Sequence, residues 1–414
     1  MSKVGAQTTS RGSGRLARLR LSRLGRTGAV APSGGPDPAA GRAGGRGGSE
    51  LPCTPERGLH GGPPGHRGLL RACVVVAVAA ASGGALGACG SASSPGSSQS
   101  ITLYSGQHQQ TTDALVAGFE KETGITVNVR NGTEDTLADQ IVTEGGRSPA
   151  DVVYTENSPA LEYLQSKGLL AKVYASTLAK TPSKYDSPAG DWVGVSARVS
   201  VLVYNPGLIS KRELPTSVLQ LADPRFKGKL AFAAAETDFQ PIVTAVDRAY
   251  GKAATLSWLE GIKANVAGFT HTYTTDETIA NDVNRGEVAF GVINQYYWYR
   301  LRAEIGRSNV HSRIAYFAPH DPGYVIDVSG AAVLQSSAHK AAAQRFLAYL
   351  VSKSGQDVIA DPSRSLSFEY PLRPGVTTKA PELPFDRLQP CPITVGELGD
   401  GRTAVALLTE AGLL

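Results

Sequence analysis

Residues 192–204 read Trp-Val-Gly-Val-Ser-Ala-Arg-Val-Ser-Val-Leu-Val-Tyr. β-branched residues and an aromatic at each end dominate, with no Pro, so the stretch reads as a strand. It is about twice the ~5–6 residues of an ordinary strand. We read it as a crossover between two lobes. Residues 325–334 (VIDVSGAAVL) form a second candidate crossover. Working outward, strand patterns at 101–104, 125–129, 151–154, 230–232 and 288–293 alternate with helix patterns at 112–123, 239–250 and 340–351. Leu115, Val116 and Phe119 share one side of the first helix, which Gly124 closes. Ser158-Pro159 reads as a helix N-cap followed by the first helical residue. Trp192 and Trp258 read as core, and residues 403–413 as a closing helix. There is no internal repeat. The alternation specifies an α/β fold.

The chain has 414 residues, 41% hydrophobic and 19% charged, with a formal net charge of +5. That charge is unevenly spread. Residues 1–88 hold 12 Lys and Arg against three acids, and the remainder holds 29 basic against 33 acidic residues. The folding part is therefore mildly acidic, which disfavours nucleic-acid binding. Residues 1–66, rich in Arg, Gly, Pro and Ser, lack the apolar content for a core and read as a disordered leader or an untranslated upstream stretch. Within them, residues 15–26 have a basic amphipathic pattern.

Residues 67–88 have the layout of a secretory signal: Arg67 and Arg71, a short apolar run over 72–81, then small residues. The run is shorter than the ~20 residues of a spanning helix. Residues 86–89 (LGAC) resemble a bacterial lipobox, which implies cleavage before Cys89 and lipid on its thiol. Residues 89–100 then form a flexible tether. Cys53 and Cys73 fall in the removed leader, so Cys391 is the one thiol left in the folded body, without a disulfide partner. The division is 101–198 for the first part of lobe 1, 199–326 for lobe 2, and 327–414 for the return to lobe 1 with C-terminal helices.

Chemically notable residues share one setting. His108 follows strand 101–104, Glu156 follows 151–154, Glu236 and Asp238 follow 230–232, and Tyr296 and Tyr297 follow 288–293. In open α/β sheets ligands sit beyond the carboxyl ends of strands. These residues are thus candidates to meet in one cleft. Oxygen donors with one imidazole suit a hard, highly charged cation. A phenol of pKa ~10 loses its proton at neutral pH only to a strongly Lewis-acidic ion such as Fe3+. Two phenolates and one carboxylate balance three positive charges. Each residue alone has an ordinary reading: a surface His, a solvated Glu, an aromatic run in a core or sugar-stacking surface.

Jointly, YSGQH (104–108), SPADVVYTE (148–156), INQYYW (293–298) and SGAAVL (329–334) resemble bacterial ferric-iron-binding proteins, the solute receptors of ABC-type iron importers. The similarity is collinear over residues 101–414. It implies a type II-like, two-lobed periplasmic-binding fold with two crossover strands as hinge. His108 and Glu156 of the first lobe and Tyr296 and Tyr297 of the second would then hold Fe3+, for delivery to an ABC permease. Together with the lipobox at Cys89, this reading predicts a monomeric receptor lipid-anchored to the outer face of the cytoplasmic membrane. Many such proteins add a small synergistic anion, held by a helix-start loop, an Asn, and an amide beside the Glu ligand. Here those places read Glu236-Thr237-Asp238-Phe239, Asp276 and Asn157, with Asn294 retained. Carboxylates repel an anion, so we expect Glu236, Asp238 or Asp276 to take its place at iron or to select a different small ligand. His271 and Tyr273, which precede Asp276, have an ordinary reading, with a place near the cleft as the less favoured alternative. Two alternatives stand beside this reading. One is a same-fold receptor for a ferric chelate or an organic cation such as a polyamine or thiamine, bound by the acids and stacked on Tyr and Trp. The other is a secreted metalloenzyme using His108 and Glu156, although HExxH, GxSxG and Walker A motifs are absent from the sequence.

Overall fold

The computed structural model describes residues 99–268 and 273–414. The leader, the signal segment, Cys89 and His271 lie outside these residues. The chain opens with β1 (Ser100–Ser105), α1 (Gln109–Thr123), β2 (Thr126–Asn131), α2 (Glu134–Glu144), β3 (Val152–Thr155), α3 (Ser158–Ser166) and a short α4 (Ala175–Leu178). The long β4 (Val193–Tyr204) follows, then β5 (Leu230–Ala231), α5 (Gln240–Tyr250), α6 (Lys252–Asn265), α7 (Asp276–Arg285), β6 (Phe290–Asn294) and α8 (Gln295–Ile305). The chain continues with β7 (Arg313–Ala315), β8 (Ile326–Val333), α9 (Lys340–Leu350), α10 (Lys353–Ile359), α11 (Pro362–Ser365) and β9 (Tyr370–Pro371). It ends on α12 (Val395–Leu398) and α13 (Arg402–Glu410).

β4 organises the fold. Its first half pairs antiparallel with β8 and its second half antiparallel with β6. The change of partner falls between Val199 and Ser200. The strand order is β2-β1-β3-β8-β4-β6-β5, with β7 and β9 also on β4. β2, β1, β3 and β8 make the sheet of the first lobe, and β5, β6 and β7 that of the second. All twelve residues of β4 are buried, because both faces of both halves are covered. The register slips between Gly194 and Ser196. A Cβ on Gly194 would stand 2.2 Å from the Tyr185 carbonyl oxygen, so only glycine fits there. β8 pairs with β3 and β4, and Ser200 N–H donates to the Val325 carbonyl at 3.0 Å where it enters.

Trp192 and Trp258 are core residues, as expected, and their indole N–H groups donate to Glu162 and to the Val218 carbonyl. α1 buries Leu115, Val116 and Phe119, and Phe119 meets Phe346 of α9 edge-to-face at 5.0 Å. Two details differ from the sequence reading. The N-cap of α3 is Asn157, with Ser158 and Pro159 inside the first turn, because Asn157 alone keeps extended dihedrals. The return of 327–414 to the first lobe also ends early. After β9 the chain bonds to the second side, through His320 N–H to Gln389 O and Cys391 N–H to Tyr324 O. α13 packs on α5 and α6, where Lys263 donates to the Ala411 carbonyl at 2.9 Å. The apolar face of α13 (Ala404, Leu407, Leu408) finds its cover there. Among the described residues, no helix is long and apolar enough to cross a membrane.

Candidate metal centre

The ends of the strands bring the sequence candidates together. His108 leaves β1 and Glu156 leaves β3, both on the first lobe. Tyr296 and Tyr297 occupy the first turn of α8, directly after β6. Glu236, Thr237 and Asp238 fill the turn between β5 and α5, and Asp276 opens α7. His108 Nε2 lies 3.0 Å from Glu156 Oε1 and 3.3 Å from the Tyr296 hydroxyl. The Tyr296 hydroxyl donates to Glu156 Oε1 and lies 3.2 Å from Asp238 Oδ2. An imidazole nitrogen, two carboxylate oxygens and a phenol thus converge from both lobes. Tyr297 stacks obliquely on Tyr296, with ring centroids 4.2 Å apart. Its hydroxyl donates to Glu236 Oε1 at 3.1 Å. Glu236 in turn accepts the Asp276 N–H at 2.5 Å, and Asp276 accepts the Asn294 N–H at 2.9 Å. One oxygen each from Glu236, Asp238 and Asp276 lie within 4.8 Å of one another.

Burial sets the electrostatics. Tyr296 and Tyr297 are 0% and 3% exposed, whereas the His108 and Glu156 side chains keep 17% and 14%, so these two stand at the mouth. Burial opposes charge on Glu156, but His108, Arg198 and the Tyr296 phenol outweigh it and hold the carboxyl well below the usual range. Burial, then the Glu156 charge, push Asp238 up to about 6. Burial, then the Asp238 charge, push Glu236 up to about 9. Asp276 rises well above its ordinary value through burial and its neighbours Glu236 and Asp238. Burial, then the charges of Asp238 and Glu156, hold both phenols protonated. The site stores protons on acids and phenols that a cation would displace.

Sequence reasoning missed the residues that hold this set in place. Arg198, fully buried on β4, donates to Asn157 Oδ1, Ser329 Oγ and Glu369 Oε1, each at 2.9 Å. It also sits 4.0 Å from Asp238 Oδ1 and 5.5 Å from the Tyr296 ring centroid. A single charge inside an otherwise uncharged strand was the available signal. Glu134 of α2 accepts the Asn157 backbone N–H at 2.7 Å and its side-chain amide at 3.1 Å. Gly106 makes room for it, since a Cβ there would stand 2.6 Å from the Glu134 Cβ. Glu369, which also accepts from Ser196 and Gln107, lies in a loop that no local pattern marks. Tyr273 is buried and hydrogen-bonds Asp282 of α7.

A cleft between two sheets, crossed by a shared strand and lined by donors from both sides, is the architecture of a solute-binding protein. The sequence pattern of the family described as bacterial extracellular solute-binding protein matches residues 101–361, and the chain belongs to that family. It is 39% identical over 316 residues to the Fe(3+)-binding periplasmic protein of Serratia marcescens, covering 76% of this chain and 91% of that one. It is 37% identical to the major ferric iron-binding protein of Neisseria meningitidis, covering 76% and 93%. The crystal structure of iron-bound HitA from Pseudomonas aeruginosa superposes with a TM-score of 0.71 at 42% identity, covering 76% of this chain and 99% of that one.

Proposed function

We propose that this protein is an extracytoplasmic receptor that binds Fe3+ in the interlobe cleft and delivers it to an ABC permease. It is a transport protein and not an enzyme. The iron would be held by His108, Glu156, Tyr296 and Tyr297. The observation that carries this is the meeting of His108 Nε2, Glu156 Oε1 and the Tyr296 hydroxyl within 3.3 Å, beside a second phenol. Asp238, 3.2 Å from the Tyr296 hydroxyl, would supply a further oxygen, with Glu236 and Asp276 close beside it. We infer that this carboxylate stands in for a small exogenous anion, because the Asn157 amide is already bonded to Thr237 and to Asp238 itself, and the Asn294 backbone N–H to Asp276. We further propose a monomer attached to the outer face of the cytoplasmic membrane through lipid on Cys89.

The test is a visible absorption titration of the purified protein with ferric iron in a weak chelate. A tyrosinate-to-iron charge-transfer band should saturate near one iron per protein. It should vanish in a Tyr296→Phe, Tyr297→Phe double variant. Phosphate should change the affinity little, and strong phosphate dependence would sink the anion replacement. Absence of any band in folded protein would favour the second reading, an organic cation or ferric chelate held by the Glu236, Asp238 and Asp276 oxygens.

A further inference from the structure

Asn157 is the N-cap residue of α3, yet its side chain makes no capping bond. An Asn at this position normally accepts an N–H of the first helical turn. Here Asp327 of β8 takes that task, accepting the Ser158 N–H at 3.4 Å and the Ser158 hydroxyl at 2.6 Å. The freed Asn157 side chain points across the cleft instead. Its amide nitrogen lies 2.9 Å from Asp238 Oδ1 and 3.1 Å from Thr237 Oγ1, both on the second lobe. The same nitrogen lies 3.1 Å from Glu134 Oε1 on the first lobe. Its oxygen accepts from Arg198, on the strand that both lobes share.

Two amide hydrogens therefore face three acceptors, and the oxygen faces a buried guanidinium. The node is 1% exposed, so its hydrogen bonds are made in a low-dielectric setting. All its partners are present only when loop 236–239 lies against the end of β3. Opening the cleft strips Asn157 of Thr237 and Asp238 together, and leaves Asp238 without its amide donor. Among the described hydrogen bonds the Asn157 side chain touches none of His108, Glu156, Tyr296 and Tyr297, and its one link to the proposed iron shell is Asp238.

We propose that Asn157 is a cross-cleft latch, a positioning residue that ties the Glu236–Phe239 turn to the first lobe and thereby sets how long the cleft stays shut. It rests on the receptor reading for its biological meaning, and its bonds run between protein atoms alone. Closure is a two-state hinge movement, and protein-only bonds across the cleft bias it before any solute arrives.

The experiment compares the full-length wild type with Asn157→Ala and Thr237→Val. In iron-free protein, nitration of individual tyrosines is followed by mass spectrometry. Tyr296 and Tyr297 are shielded in the closed cleft, and Tyr174, 54% exposed, is the internal control. Asn157→Ala should raise the rates at Tyr296 and Tyr297 about tenfold, and Thr237→Val severalfold, with Tyr174 unchanged. In iron-loaded protein, release to an excess of chelator should speed up in both variants, with the charge-transfer maximum unmoved in Thr237→Val, whose hydroxyl meets Asn157 and none of His108, Glu156, Tyr296 and Tyr297. A merely local disturbance of the ligands would shift that maximum. Rates at Tyr296 and Tyr297 within twofold of wild type in both variants would overturn the latch. If Asn157→Ala raises every tyrosine rate and so has failed to fold, Thr237→Val alone decides, by the same rise or its absence. Failure of the iron reading shows separately, as no charge-transfer band in any of the three proteins.

Discussion

Glu236 shows what a single residue does to this protein without its solute. Its carboxyl is pushed up to about 9 by burial and by Asp238, whereas an unfolded Glu titrates near ~4.3. Between those values the folded state binds the extra proton, so stability falls as pH rises. Asp238, pushed up to about 6, acts in the same direction over a lower window. Glu156, held low, acts in reverse and loses its contribution as pH falls below the ordinary carboxyl range. The iron-free protein should therefore melt progressively lower from about pH 5 to about pH 9. Calorimetry of Glu236→Gln should show a flatter profile above about pH 6, by a few degrees at the alkaline end. An unchanged slope would mean that Glu236 is ionised in the folded state.

At the scale of elements, the junction of β6 with α8 explains how adjacent tyrosines both serve the cleft. A strand that turns directly into a helix presents the first helical turn at the end of the sheet. Tyr296 and Tyr297 sit there one after the other, and both are buried. On the first lobe the corresponding joint is the close approach of Gly106 to α2. Gly106→Ala would force a Cβ to within 2.6 Å of Glu134. We expect a loss of about 1–3 kcal/mol of stability from the overpacking, read from the denaturant midpoint. Glu134 would also swing away from the Asn157 N–H, so iron affinity should fall severalfold in the same variant. A stable variant with wild-type affinity would show that Glu134 has no part in shaping the β3–α3 turn.

For the whole molecule, β4 alone runs through both sheets and changes partner between Val199 and Ser200, while β8, the second expected crossover, pairs within the first-lobe sheet; a hinge at that point of β4 would keep the two sheets joined. A solute gripped from both sides stabilises the folded, closed state in proportion to its affinity. At a thousandfold excess over Kd the gain is about 4 kcal/mol. Iron should therefore raise the melting temperature by ~10 °C or less in a chain of this size. The Tyr296→Phe, Tyr297→Phe double variant should show no rise, and a rise equal to wild type would place the iron elsewhere. The third passage, through residues 381–391 to α12 and α13, adds a covalent tie on the far side of β9.

The sequence by itself determined the α/β alternation, the long shared strand, and the ends of strands where His108, Glu156, Tyr296 and Tyr297 stand. These are matters of local periodicity, of Gly and Pro punctuation, and of short motifs, and they need no distant partner to be read. It also marked the acidic loop at Glu236 and Asp238 as unusual. Tertiary structure alone decided that Asn157 turns from its helix to the opposite lobe, that Arg198 ties it to Glu369, and that α13 lies on α5 and α6. Those outcomes depend on contacts between residues 41 to 171 positions apart. A buried charge or amide must find its partners wherever the chain folds them, and no local pattern records which they are.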